Sequence, residues 1–133
     1  MPGKTLVLAT WNINSVRLRM PLLQRLVLEA QPDVICLQET KVDDPLFPHD
    51  PIAALGYPYR AINGRKGYHG VAILSREPFA KVSKQEWCGK DDGRHLAVTL
   101  ADGLEIQNYY IPAGGDIPDP AVNEKFAHKL QFL

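Results

Sequence analysis

Three residues near the amino terminus have the types needed for hard-cation chemistry: Asn12, Asn14 and Glu39. One carboxylate with neutral amide oxygens suits an ion such as Mg²⁺, which keeps several waters and takes only one or two protein carboxylates beside a substrate phosphate. The same residues have an ordinary use, because asparagines cap turns and a glutamate at a strand end is commonly solvated. Spacing alone leaves both readings open. A second group is the stretch from Tyr57 to Arg76, where Arg60, Arg65, Lys66 and Arg76 occur without an acid and Tyr57, Tyr59 and Tyr68 are interleaved. Basic and aromatic residues on glycine-rich loops suit contacts to nucleic-acid phosphates and sugars, and charge between strands is also an ordinary solvated surface. Asn108-Tyr109-Tyr110-Ile111-Pro112 forms a third group, in which a phenol at a strand end can orient a phosphate or anchor a loop.

Other chemistries find little support. His69 and His95 have no His-x-x-His or Cys-x-x-Cys partner, which argues against zinc, and His95 reads as a packed or exposed strand residue. Ser75 and Ser83 lack a nucleophile elbow.

The elements that must position these groups can be read from periodicity. Asp33-Val34-Ile35-Cys36-Leu37-Gln38-Glu39 is a short apolar run closed by polar residues, the pattern of a strand buried on both faces in the middle of a sheet. Leu6-Val7-Leu8-Ala9 is a similar run ending towards Asn12 and Asn14. Between them Pro21 opens a helix, Leu23, Leu26, Val27 and Ala30 keep helical spacing, and Gln31-Pro32 stops it. Strand, helix, strand at these lengths is a βαβ unit with parallel strands. Parallel strands share a carboxyl edge, so Asn12, Asn14 and Glu39 can converge there, and Arg17, Arg19 and Lys41 would join the basic stretch on that edge.

Further along, residues 43–58 read as loop with one helical turn, and Tyr59 to Asn63 as a strand. Gly64 to Gly70 reads as a turn and Val71 to Leu74 as a buried strand. Ala80 to Trp87 is a weaker strand. His95 to Leu100 and Leu104 to Ile111 form a hairpin through Ala101-Asp102-Gly103, and Ala121 to Leu133 returns to helical spacing.

The 133 residues allow one smallish domain, and a 45% hydrophobic fraction predicts a packed core. Fifteen Lys and Arg balance fifteen Asp and Glu, which argues against a purely electrostatic binder of nucleic acid or membrane. Two cysteines, Cys36 and Cys88, make no disulfide framework. There is no membrane-length apolar run and no signal-peptide pattern, so a soluble protein of a reducing cytoplasm is expected.

Five ordered segments resemble the exonuclease III branch of the endonuclease/exonuclease/phosphatase superfamily. They are Thr10-Trp11-Asn12-Ile13-Asn14 with Val16-Arg17, Asp33 to Lys41, Gly67 to Ser75, Gly93-Arg94, and Asn108 to Pro112 followed by Gly114. The resemblance implies an α/β fold, the first half of a two-sheet deoxyribonuclease I-like sandwich with a mixed sheet and flanking helices. It implies Mg²⁺- or Mn²⁺-dependent hydrolysis of duplex DNA at abasic sites and 3′ ends. By position, Glu39 is similar to the family's metal-binding glutamate, and Asn14 to a position that helps hold the ion. Asn12 resembles the active-site asparagine and Tyr110 the tyrosine on the scissile phosphate. Arg17, Lys41, Tyr68 and Arg94 fall where the family touches the DNA backbone. The family's later Gly-Asp-x-Asn and Ser-Asp-His segments have no counterpart here. The expectation is therefore an amino-terminal half, one domain over residues 1–133, with impaired hydrolysis and an uncovered sheet face prone to self-association. The rival readings are a superfamily phosphodiesterase or phosphatase acting on RNA or a phospholipid headgroup, and a non-catalytic DNA-binding fragment.

Overall fold

Alternation and continuous apolar runs sort the strands into two stacked sheets. A computed structural model describes residues 5–65, 69–85, 93–112, 119, 121 and 123–132. The first sheet contains β1 (Leu8–Asn12), β2 (Val34–Gln38), β3 (Tyr59–Asn63) and β4 (Val71–Ser75), in the order β1-β2-β4-β3. The second contains β5 (Phe79–Ser83), β6 (His95–Leu100) and β7 (Glu105–Tyr109), in sequence order.

β1 and β2 are parallel neighbours, with Asn12 opposite Gln38, as the βαβ reading requires. β2 and β3 each pair antiparallel with β4, so the sheet is mixed. β2 lies between β1 and β4 and is buried on both faces, with Val34, Ile35 and Leu37 at 0% exposure. Each side chain buried to that degree stabilises the fold by about 1.5–3 kcal/mol.

Alternate residues of the first sheet feed two cores. Ile35, Leu37, Ala72 and Leu74 pack with Leu23 and Val27 of α1 (Met20–Ala30). Val34, Cys36, Val71 and Ile73 face Leu96, Val98, Leu100 and Ile106 of the second sheet. β7 lies over β2 and β4, while β6 lies over β3 and β4. Burial pushes the Cys36 thiol up to about 11, so it serves as a small packed hydrophobe. At the end of the sheet remote from Glu39, Asp33 accepts from the Val7 N–H and its own N–H donates to Val7 O, both at 2.8 Å.

Four expectations need correction. Residues 43–58 hold more helix than one turn: a 3₁₀ turn at Asp44–Leu46 is followed by α2 (His49–Ala54). Pro45, Pro48 and Pro51 hide the periodicity, because they begin short helices while interrupting the pattern. Phe47, Ile52 and Tyr57 are nonetheless buried anchors of the first core. β5 stops at Ser83, and residues 86–92 lie outside the described set. The last helix, α3, spans Glu124–Phe132.

The basic and aromatic stretch from Tyr57 to Arg76 does not make one surface. Tyr59 pairs with Ser75, and Ser75 with Val34, which puts Tyr57, Tyr59 and Arg76 at the end of the sheet away from Glu39. Tyr57 is buried, donates to Pro32 O at 2.6 Å and carries the Arg76 guanidinium over its ring. Two antiparallel strands carry the chain from one end of the sheet to the other and back, so residues close in sequence part company. Among the described residues, no helix is long and apolar enough to cross a membrane.

Candidate active site

Glu39 follows the last residue of β2 and Tyr110 the last residue of β7, so the two sheets deliver one carboxylate and one phenol to the same rim. The Tyr110 hydroxyl donates to Glu39 Oε1 at 2.6 Å. That bond is the main reason the Glu39 carboxyl lies below its ordinary pKa; Asn12, Lys41 and His69 lower it further, against partial burial. Lys41 Nζ lies 3.9 Å from Glu39 Oε2. Burial, with the Glu39 carboxylate beside it, pushes the Tyr110 phenol up to about 12. At neutral pH the pair is therefore carboxylate and neutral phenol.

Behind Tyr110 the Arg94 guanidinium stacks over its ring, 4.8 Å from the centroid, and Arg94 Nη1 donates to Tyr110 O at 3.2 Å. Arg94 Nη2 lies 3.2 Å from His69 Nε2. A guanidinium only donates, so a hydrogen bond at this contact has His69 Nε2 as its acceptor. The His69 ring meets Tyr110 edge-on at 5.8 Å. His95 is a different case: it is 4% exposed, receives the Gln85 N–H at Nδ1 and pairs with Gln107 Oε1 at 2.7 Å, so it is a packed histidine.

Main-chain hydrogen bonds tie these loops to one another. Ile13 N–H donates to Gln38 O, Ser15 N–H to Glu39 O and Val16 N–H to Thr40 O. Thr40 N–H donates to Gly70 O, Lys41 N–H to His69 O, Gly70 N–H to Gly93 O, and Tyr110 N–H to Arg94 O. A ladder of main-chain bonds thus continues past the strand ends and joins the first sheet to the second along the rim. The geometry needs unusual dihedrals. Asn14, Ser15, Glu39, Lys41 and His69 all have φ between 50° and 84°. Each such non-glycine position costs on the order of 1–3 kcal/mol and persists only where surrounding bonds impose it. Gly70 has φ +90°, and a Cβ there would lie 2.2 Å from Thr40 Oγ1.

Asn12, Glu39, Lys41, Tyr110 and Arg94 are thus gathered at one place. Asn14 and Arg17 are exposed on the loop after β1, bonded through its backbone to residues 39 and 40, and belong to the same rim. Tyr68 and Gly114 lie outside the described residues. Sequence reasoning gave no role to His69, Gln38 or Asn108. A single histidine in a turn and amides inside strands carry no spacing signal, and only the stacked sheets bring Gln38 to Asn108 and His69 to Tyr110.

Among the described residues no three His, Cys, Asp or Glu side chains cluster as a metal site. The donor set instead has one ionised carboxylate, 22% exposed, with the Asn12 amide facing it. Such a set fits Mg²⁺ or Mn²⁺ shared with water and a phosphate, and does not fit a closed all-protein cage.

A parallel βαβ entry, a second sheet stacked over it and a glutamate–tyrosine pair at the shared rim agree with the sequence match: residues 9–133 match the Endonuclease/Exonuclease/phosphatase family, and the chain belongs to it. It is 33% identical over 134 residues to exodeoxyribonuclease III of Haemophilus influenzae, an alignment covering 93% of this chain and 49% of that protein. Its fold superposes on the 3′ phosphatase NExo from Neisseria, solved with a product DNA hairpin, at TM-score 0.84 and 32% identity over 96% of this chain and 48% of that one. An AP endonuclease from Archaeoglobus fulgidus gives TM-score 0.83 and 35% identity, with the same coverages of 96% and 48%. The chain therefore resembles exonuclease III and AP endonuclease types, in a deoxyribonuclease I-like α/β fold, and spans about half the length of these relatives.

Proposed function

We propose that this chain carries one side of a metal-dependent DNA phosphodiesterase site of the exodeoxyribonuclease III and abasic-site endonuclease type, acting on duplex DNA at abasic sites and 3′ ends in DNA repair. The observation that carries this reading is the 2.6 Å bond from Tyr110 to Glu39, which joins two of the residues the family resemblance singles out. Glu39 and Asn14 would hold Mg²⁺ or Mn²⁺, with Asn12 orienting the carboxylate. A bound ion supplies Lewis-acid neutralisation of a phosphate oxygen.

The chain's own residues have separate parts in this reading. The neutral Tyr110 phenol donates a hydrogen bond, to Glu39 in the free protein and to a phosphate oxygen when DNA is bound. Arg94 fixes the Tyr110 ring by stacking, and Lys41 and Arg17 place cationic charge along the rim where a phosphate backbone would run. Water activation needs a base, and no described carboxylate other than Glu39 contributes to the bonds and ion pairs gathered around Tyr110. As it stands the chain is expected to bind DNA and cleave it weakly, since loss of an activated nucleophile lowers rates by several orders of magnitude. The buried free thiol of Cys36 accords with a reducing, cytoplasmic setting. The exposed inner face of β1 favours self-association.

The test is an abasic-site duplex incubated with Mg²⁺ or Mn²⁺, beside Glu39→Ala and a chelator control. Metal-dependent binding or slow cleavage that disappears in Glu39→Ala is the expected result. Cleavage that survives Glu39→Ala would remove the metal assignment, and DNA binding with no metal dependence would leave a non-catalytic binding fragment.

A further inference from the structure

A buried set of polar contacts joins the two sheets directly beneath the candidate site. Asn108 of β7 is 2% exposed. Its Nδ2 donates to Leu37 O at 3.0 Å and to Ala72 O at 2.9 Å, and its Oδ1 accepts from Gln38 Nε2 at 2.8 Å. Leu37 and Ala72 are partners in the β2–β4 register, so the amide fork straddles two strands of the opposite sheet. Gln38 Nε2 also reaches Thr10 Oγ1 on β1 at 3.0 Å.

We propose that Asn108 is a positioning residue, whose buried carboxamide bridges the sheets and sets Tyr110 at hydrogen-bonding distance from Glu39. The inference rests on the reading of Glu39 and Tyr110 as site residues. Two tiers run in parallel. Thr10, Gln38 and Asn108 form the lower tier; Asn12, Glu39 and Tyr110 stand one or two residues further along the same three strands. Residues two apart on extended backbone point to the same side, so Asn108 and Tyr110 both face the first sheet. A lateral slip of β7 against β2 would be passed to the Tyr110–Glu39 pair with little chain between to absorb it.

The chemistry is specific to asparagine. The position needs two N–H donors for two carbonyls and one acceptor for Gln38. Aspartate offers no donor when ionised, serine offers one, and an apolar residue removes the cross-sheet bonds to both carbonyls and the Asn108 acceptor of Gln38.

The experiment compares Asn108→Ala, the milder Asn108→Ser and a control, Val98→Ala. Val98 is 1% exposed in the same layer between the sheets and belongs to its apolar cluster. The first readout is the nuclear Overhauser contact between the Tyr110 ring and the Glu39 side chain in metal-free protein. The second is Mn²⁺ affinity. The expected result is that both Asn108 variants weaken or lose the contact and reduce Mn²⁺ affinity by about tenfold or more, the scale of losses when support for a metal ligand is removed. Val98→Ala, with its own fall in melting temperature, should keep both. A folded Asn108→Ala or Asn108→Ser that retains the contact overturns the proposal, and so does an equal loss in Val98→Ala, which would make the effect general loosening. If Asn108→Ala does not fold, Asn108→Ser decides alone. Absence of Mn²⁺ binding in the unaltered protein would defeat the functional reading, while the Overhauser arm would still decide the role of Asn108.

Discussion

The short bond from Tyr110 to Glu39 sets the protonation of both groups, so it makes predictions at each end of the pH scale. Glu39 has a depressed folded-state pKa. Its contribution is present above the ordinary 4.5 and is lost as pH falls through the lower folded value. Tyr110 is raised from 10 to about 12, so its contribution is present below pH 10 and is lost as pH rises towards 12. Tyr110→Phe removes the donor and should lower stability at neutral pH by about 1.5 kcal/mol, the scale of a hydrogen bond to a charged group. The variant should also lose less stability than the unaltered protein as pH drops below 4.5, because its Glu39 titrates nearer the ordinary value. Denaturant melts between about pH 3 and 7, a range that spans the carboxylate transition, check both statements. Parallel acid limbs in the two proteins would show that Tyr110 does not tune Glu39.

Among the elements, the loops at the rim carry more constraint than the strands they follow. Gly70 and Gly103 share a positive φ, +90° and +92°, yet only Gly70 has a neighbour in the way. Gly103 sits in the β6–β7 turn, where a Cβ would find nothing within 4 Å, whereas at Gly70 it would meet the hydroxyl of the buried Thr40. Gly103→Ala should cost about 1–2 kcal/mol, because an L side chain is disfavoured at positive φ. Gly70→Ala adds a clash that must move Thr40 or the 69–70 strand entry, for a total of about 2–4 kcal/mol. Thermal or denaturant unfolding of the two variants measures the difference. Equal losses would mean that the Thr40 contact relaxes freely, and the main-chain ladder through Gly70 and Gly93 would then be a loose one. The β2 strand and the β6–β7 hairpin, by contrast, were legible in the sequence: continuous apolar residues specify burial on both faces, and Asp-Gly between two strand patterns specifies a turn.

For the molecule as a whole, β1 is the weak side. Leu8, Thr10 and Asn12 pair in register with Val34, Cys36 and Gln38, and so share the face that the second sheet covers over β2. Among the described residues that cover is made by β7 over β2 and β4 and by β6 over β3 and β4, leaving Leu8 50% exposed. Among the described residues β1 is an edge strand, and a groove of about 390 Å³ runs beside it, lined by Ala9, Thr10, Trp11, Leu22 and Leu26 with the charged Arg25 and Glu29. An edge strand that exposes Leu8 beside unpaired backbone groups invites pairing. Concentration-dependent association is expected in sedimentation velocity, and Leu8→Lys should weaken it by placing charge on the exposed face. A monomer at all concentrations, unaffected by Leu8→Lys, would contradict the expectation.

Residue types and their order were enough to specify the βαβ entry, the burial of β2 and the convergence of Asn12 with Glu39, because periodicity and parallel pairing are local consequences of residue type. Short ordered segments also supplied the family. The packing of the two sheets settled the rest. Tyr57 and Arg76 moved away from the site because β3 and β4 run antiparallel across the sheet, a displacement no local pattern encodes. Gln38 and Asn108, 70 residues apart in the chain, became a bridge because the second sheet lies on the first. Long-range polar contacts depend on which faces stack and in what register, and that is fixed only when the two cores pack together.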